Sequence, residues 1–373
     1  METPITKYIN DEGYLYIDNF NWRLLKQQYE KDELIDYFIT EVKEKRLLFP
    51  YKKISLKDAE NDFRSLMYYK PNDYFQGASY KVDYKYKSSG KYIMEKTFPF
   101  APDYFQQKNR MNCGYISFPS PIEVFNNEKN LKRLFDGFFV FENKSVSSEG
   151  ILSLIQLRFY VASKFKCAVA KSIYEKFNSV DVLDLSSGWG DRLCGFYACE
   201  NTRSYIGIDP NTDTYNQYFK QSEFYEKCIS TDDNMLRDTT PKKIKLFNLP
   251  AEDIELDEEI VDTVFTSPPY FNIERYTKED NQSCNRYKTD EAWLNGFMFK
   301  AIDLGWKALK KGGYFLLNIA DRADIRVCDR INDHFKSIGG EYVDCIGMQL
   351  SKRPNQRFEV DNTLCEPIWV WKK

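Results

Sequence analysis

Four short stretches of this 373-residue chain hold residue types that do chemistry when they stand at the ends of strands. "DLSSGWGDRL" (184–193) carries Gly188 and Gly190, which let the backbone turn tightly and bring its N–H groups against a ligand. A helix starting near Asp191 would point its positive end back at that turn. The third glycine of a GxGxxG loop is missing and Trp189 stands between the two, so a plain turn fits the same residues. "GIDPN" puts Asp209 nineteen residues after Gly190, where a carboxylate accepts both hydroxyls of a ribose. Asp209 would also serve as a helix cap or a turn aspartate before Pro210. "NLPAEDI" offers Asp253, and less favourably Glu252, to an adenine amino group. A glycine turn, a ribose acid and a base acceptor, in chain order, point together to a nucleoside-containing cofactor. The fourth stretch, "VFTSPPYFNIERY" (264–276), runs from apolar residues into Ser267, Pro268, Pro269 and Tyr270. Prolines donate no ladder hydrogen bond, so this is a rigid corner with a hydroxyl before it and an aromatic ring after it.

The elements that would position these residues alternate along the chain. "VDVLDLS" (180–186), "SYIGID" (204–209), "KIKLFNL" (243–249), "VDTVFTS" (261–267) and "GGYFLLNIA" (312–320) read as buried parallel strands separated by helical stretches. "EYVDCIGMQL" and "EPIWVW" read as a closing antiparallel pair. Such a pattern predicts an open α/β sheet with its ligand sites at the carboxyl ends of the strands. Residues 1–150 lack the βα rhythm and read as an α+β accessory region, a place for target recognition. The regular domain spans 151–373, opening on the helical spacing of "GILSLIQLRFYVASKFKCAVAKSIYEKF".

Composition bounds the function. The chain is 42% apolar and 29% charged with a net charge of -3, so any nucleic acid would be held by a local patch. Nine cysteines form no CxxC pair and His334 is the only histidine, which argues against a metal site and against a histidine triad. Unpaired cysteines suit a reducing cytoplasm, the N-terminal "METPITKYIN" has no apolar signal core, and the apolar runs are too short to span a membrane. Residues 81–110 carry seven Lys/Arg against three Asp/Glu, interleaved with Tyr84, Tyr86, Tyr92 and Tyr104 and preceded by Tyr80. That mixture suits nucleic acid or, equally, the strands of a small lobe. After the corner, Glu274, Tyr276, Gln282 and Ser283 are candidates for base or phosphate contacts, or simply a solvated loop leading to a helix near Thr289. Lys352, Arg353 and Arg357 in "LSKRPNQRF" would make a phosphate clamp.

The corner resembles the (D/N/S)-P-P-(Y/F/W) signature of class I S-adenosylmethionine-dependent amino-methyltransferases of DNA, and specifically solitary methylases of phage or mobile-element type. The resemblance covers 151–373. It matches the family's cofactor loop to "DLSSGWG" (184–190), with Asp184, Ser186, Gly188 and Gly190, its ribose acid to Asp209, and its catalytic corner to Ser267, Pro268, Pro269 and Tyr270. It implies a Rossmann-like class I methyltransferase sheet, S-adenosyl-L-methionine as cofactor, double-stranded DNA as partner, no metal, and residence in the cytoplasm, or the host's if phage-encoded. The exocyclic amine of a base is a poor nucleophile because its lone pair is drawn into the ring. Hydrogen bonds from its protons to the Ser267 oxygen and the Pro268 carbonyl would favour a pyramidal nitrogen, while Tyr270 stacks on the flipped base. Serine at the first position leans towards cytosine N4 over adenine N6. The cofactor loop precedes the corner by about eighty residues, so recognition must lie before residue 150 or after the corner. Methylation of RNA or of protein glutamine, or binding without catalysis on the same fold, are the competing expectations.

Overall fold

Runs of aliphatic and β-branched residues that are apolar on both faces become the inner strands of a parallel sheet, where both faces are covered. The computed structural model describes residues 2–373 apart from 116–117, 142–143, 233, 235–237, 272, 323–324 and 351–362. Strands β1 (Asp181–Asp184), β2 (Ser204–Ile208), β3 (Lys243–Phe247), β4 (Val261–Thr266) and β5 (Leu309–Asn318) are parallel. β6 (Glu341–Gln349) and β7 (Thr363–Lys372) follow, and β7 runs antiparallel to both β5 and β6. The order across the sheet is β3-β2-β1-β4-β5-β7-β6, a Rossmann-like sheet with the expected terminal antiparallel pair. The order reverses between β1 and β4, and a doubly wound sheet binds its ligand in the crevice at that reversal.

Alternate residues along each strand feed two cores. Val182, Tyr205, Phe265, Leu316 and Ile368 pack with α1 (Cys167–Lys176), α2 (Asp191–Ala198) and α3 (Thr212–Ser230). Leu183, Val264, Phe315, Leu317 and Trp369 pack with α4 (Phe299–Ala308) and α5 (Cys328–Ser337). Asp262 opens β4 by accepting the N–H groups of Val180 and Asp181 at 3.0 and 2.8 Å, which locks β4 against the entry to β1.

Compactness divides the chain differently from a boundary at residue 150. One unit comprises Met1–Lys53, Gln107–Ser163 and Glu274–Tyr276, the other Ile54–Gln106, Lys164–Ile273 and Thr277–Lys373. Residues 54–106 join the sheet unit because the helix Leu56–Tyr68 lays Phe63, fully buried, against Tyr225 of α3 with ring centroids 4.5 Å apart. Burying such a ring is worth about 1.5–3 kcal/mol. The short strand Lys91–Ile93 then extends the sheet beyond β6. The helical segment after residue 150 also breaks in two, since Phe159, Tyr160 and Val161 disfavour helix and Phe159 is extended. The first unit is mainly helical, built from Asn19–Gln28, Lys31–Lys43, Glu128–Val140 and Ser148–Arg158 around Trp22, Phe38 and Phe135. Among the described residues no helix is long and apolar enough to cross a membrane, and no group of three His, Cys, Asp or Glu side chains could hold a metal ion.

Candidate functional site: the strand ends at the sheet reversal

The chain leaves β1 through a turn that only glycine fits. Gly188 has φ +59° and Gly190 φ +75°, the left-handed region that costs other residues a clash with their own Cβ. Gly190 caps α2. A Cβ on it would lie 2.6 Å from the Gln221 side chain, which is itself held by buried Gln106 at 3.2 Å. At Gly188 a Cβ would meet nothing nearer than the Ser186 carbonyl at 3.8 Å, so that side of the turn is open.

Asp209, at the end of β2, accepts from the Gly188 N–H at 2.8 Å and from the Asn211 N–H at 3.0 Å. One carboxylate therefore ties the glycine turn to the start of α3. It is 8% exposed, and burial pushes its pKa up to about 6 against the opposing pull of those N–H groups. The Tyr218 hydroxyl bonds the carboxylate as well, and three bonds leave about one of its roughly four lone-pair sites open to a ribose hydroxyl.

Asp184 lies deeper. Its oxygens accept from Arg192 Nε at 2.7 Å, from the Tyr205 hydroxyl at 2.8 Å and from the Ser186 N–H at 3.2 Å. Burial alone would lower the Arg192 pKa, but Asp184 beside it outweighs that and raises it. Arg192 also reaches the Ser186 carbonyl. The Asp184–Arg192 pair thus shapes the turn from beneath. The Ser186 hydroxyl is donated to the Leu185 carbonyl at 2.9 Å.

At the end of β3, Arg286 grips both oxygens of Asp253, at 2.7 and 3.0 Å, and one oxygen of Glu252 at 2.9 Å. The other Glu252 oxygen is buried and has no partner among the described residues. Sequence reasoning ranked Asp253 above Glu252, but the observed bonding leaves the unpaired acceptor on Glu252. Arg286 belongs to a segment after the corner that is strapped across the strand ends. Glu279 accepts from the Thr212 N–H at 3.2 Å, and Asn281 donates to the Pro210 carbonyl at 3.0 Å. Gln282 is buried and its amide oxygen accepts the Thr277 N–H, while Ser283 is buried as well. Glu274 and Tyr276 lie in the other unit, where Glu274 accepts from the hydroxyls of Tyr160 and Tyr276. Of the four suggested contact residues, Gln282 is an interior support, the buried Ser283 hydroxyl has no partner among the described residues, and Glu274 and Tyr276 pair with each other. Thr289 does cap the helical turn that starts at Asp290.

The corner follows β4. Phe271 has φ +44°, a left-handed conformation that costs a non-glycine residue about 1–3 kcal/mol and is typically kept where function needs it. Its N–H closes a tight turn onto the Pro269 carbonyl at 3.0 Å, and its ring is buried beside Trp293. Among the described residues the Pro268 carbonyl takes no backbone N–H. Ser267 donates to the Asn318 amide oxygen at 3.0 Å, and the Asn318 amide nitrogen donates to the Pro367 carbonyl at 3.0 Å. That second bond decides the first: a carbonyl only accepts, so the amide oxygen must face Ser267, and Ser267 must donate to it. The remaining lone pairs of Ser267 are committed to accepting. Tyr270 has a half-buried ring and donates its hydroxyl to Glu366 of β7. Asn318 and Glu366 were not anticipated. A lone asparagine closing the apolar run "YFLLN" was the available signal for the first, and nothing local marks the second.

The basic and aromatic stretch at 81–110 turns its rings inward. Tyr84 is buried edge-on against Trp369 at 4.9 Å, Tyr86 packs on Trp371, Tyr80 donates to the Cys345 carbonyl at 3.1 Å, and Tyr92 is buried. Lys85 pairs with Asp333 and Lys87 with Asp83. These aromatics cover the last strands of the sheet, leaving Tyr104 as the exposed ring of the five. The expected clamp of Lys352, Arg353 and Arg357 lies outside the described residues. All nine cysteines are free and all but Cys284 buried, with burial raising the thiol pKa of Cys345 and Cys365 to about 12. His334 bonds Asp303 at 2.7 Å and stacks on Phe299.

No family model and no curated protein matches the chain. Solved structures similar to it include a putative class I S-adenosylmethionine-dependent methyltransferase from Listeria monocytogenes, at 15% identity and TM-score 0.38, covering 60% of this chain and 67% of that one. A SAM-dependent O-methyltransferase from Thermotoga maritima is 12% identical with TM-score 0.32, over 57% and 67% of the two chains. A tRNA m1G37 methyltransferase of M. jannaschii is 15% identical with TM-score 0.33, over 56% and 48%. Likeness this distant has no bearing on substrate, and the functional reading rests on the strand ends themselves.

Proposed function

We propose that this chain is a methyltransferase that moves a methyl group from S-adenosylmethionine to the exocyclic amine of a base in DNA, cytosine N4 ahead of adenine N6. The observation that carries this reading is Ser267 held as a committed acceptor on a proline-fixed corner. That corner ends the strand beside the sheet reversal, with the Gly188–Asp209 pair on the other side of it.

The residues fit the cofactor. Gly188 offers an open, Cβ-free turn, and Asp209, already bonded by Gly188, Asn211 and Tyr218, keeps an acceptor site where a ribose would lie. Asp209 would hold a ribose hydroxyl and Glu252 is the better placed acceptor for the base, with Asp253 acting through Arg286. Asp184 and Ser186 keep the turn in shape. When bound, S-adenosylmethionine supplies an activated methyl group, so the protein's task is orientation more than activation. Ser267 and the Pro268 carbonyl would each accept a hydrogen bond from one N–H of the target amine, which draws its lone pair out of conjugation and aims it for in-line attack. The one surplus proton of the methylated nitrogen would pass to water. Both acceptors are fixed in advance, so little reorganisation is needed at the moment of reaction. An acceptor pair selects N–H donors over carbonyl or ether oxygens, which favours an amine as substrate. Tyr270 would stack on a base swung out of the duplex.

The test pairs calorimetric titration of S-adenosylmethionine with transfer of tritiated methyl groups to duplex DNA, RNA and bulk protein. Digestion of the labelled product to nucleosides then identifies the base. Label in N4-methylcytosine or N6-methyladenine from DNA is the expected result. Label confined to RNA or protein would move the substrate assignment, and no binding of the cofactor would remove the reading altogether.

A further inference from the structure

We infer that Glu366 is a positioning residue of the corner: it anchors the Tyr270 hydroxyl and so fixes the plane of the ring on which a target base stacks. The inference rests on the corner being the amine site. Its geometry comes from the last strand, which carries no motif. β7 pairs with β5 so that Ile368 faces Asn318, and Glu366 stands two residues further on, a diagonal neighbour of Asn318 on the same face of the sheet. Glu366 receives the Tyr270 hydroxyl, and Asn318, next to it, receives Ser267 while donating to the Pro367 carbonyl. Serine and tyrosine, three residues apart on the corner, are therefore tied to two adjoining strands. Burial raises the Glu366 pKa, with Tyr270, Asn318 and Lys81 pulling the other way.

A tyrosine held only at Cβ can rotate about two torsions, and a base that stacks on it must first arrest that motion. Anchoring the far end of the ring removes the cost before the base arrives. The hydroxyl of Tyr270, which stacking alone would make dispensable, then becomes part of base capture.

The experiment is a double-mutant cycle in the full chain, read as single-turnover methylation at sub-saturating duplex DNA, with cofactor affinity as a check on folding. Tyr270→Phe and Glu366→Ala should each lower the rate several-fold to about tenfold, as expected for one side chain left unfixed. Cofactor affinity should not change. Combining them should be no worse than either alone, and Glu366→Gln, which keeps an acceptor, should stay near the parent. Additive losses, or a Glu366→Gln as damaged as Glu366→Ala, would overturn the anchor. A second arm needs no turnover: in protein labelled with carbon-13 at the tyrosine Cζ, the Tyr270 resonance is the one lost in Tyr270→Phe. Glu366→Ala must shift it, and an unmoved resonance refutes the anchor whatever the activity. A shifted resonance in a protein that methylates no base would keep the anchor and remove the amine-site reading.

Discussion

Asp209 carries more than one duty, and its protonation makes that measurable. Its pKa is pushed from an ordinary carboxyl value to about 6, mainly by burial. A raised acid holds more protons folded than unfolded, so Asp209 costs stability above pH 6 and ceases to do so as the pH falls towards 4. Ribose hydroxyls need the ionised form as acceptor. Cofactor affinity in the parent should therefore decline as the pH falls through about 6, and Asp209→Asn should flatten that dependence. Asp209→Ala should weaken the cofactor by roughly 1.5–3 kcal/mol, the worth of hydrogen bonds to a charged group. Calorimetry between pH 5 and 8 decides it, and a parent whose affinity ignores pH in that range would show that Asp209 does not receive the ribose. Asp209 and the corner could be picked out beforehand because strand-end chemistry is local. The distribution of hydrogen bonds could not: Asp184 is held by Tyr205 and Asp253 by Arg286, partners distant in sequence.

At the scale of elements, the strands were legible because each is a short apolar run between turn residues, and the observed ends of β1 to β7 differ from the expected ones by a few residues. The glycine turn was legible too, and setting its Gly190 against a left-handed glycine elsewhere, Gly312 of β5, allows a controlled test. Gly190→Ala must bear both the backbone strain, about 1–3 kcal/mol, and the displacement of buried Gln221. Gly312 has φ +80° with nothing within 4 Å of a Cβ, so Gly312→Ala bears the strain alone. Urea unfolding should place Gly190→Ala clearly below Gly312→Ala, and equal losses would mean that Gln221 yields freely. The strap of residues 277–288 reads equally as a substrate-facing or a solvated loop, since a polar sequence does not reveal which backbone groups it caps. Arg286→Ala should speed amide exchange across that strap and cost global stability about 3 kcal/mol or more, because it also leaves the buried Glu252 carboxylate without its cation. Unchanged exchange would show that Glu279 and Asn281 hold the strap unaided.

For the whole molecule, the division into units was the least legible feature. Residues 54–106 have no βα rhythm, yet Phe63 and the strand Lys91–Ile93 belong to the sheet unit, because long-range packing has no periodicity to betray it. The same packing accounts for the tyrosines of 80–92, whose basic and aromatic character looked like a surface and serves a core. What the chain as a whole is proposed to do depends on one hydroxyl acting as an acceptor at the reacting nitrogen. The direct measurement is single-turnover methylation of duplex DNA by Ser267→Ala alongside its affinity for S-adenosylmethionine. Loss of one preorganised hydrogen-bonding group should cost about 2.7–4 kcal/mol in the chemical step, a hundred- to a thousand-fold, by analogy with an oxyanion donor. Cofactor affinity should stay at the parent value, since Ser267 is assigned to the amine. A Ser267→Ala enzyme that methylates at the parent rate, or that loses cofactor binding in proportion to activity, would contradict the account.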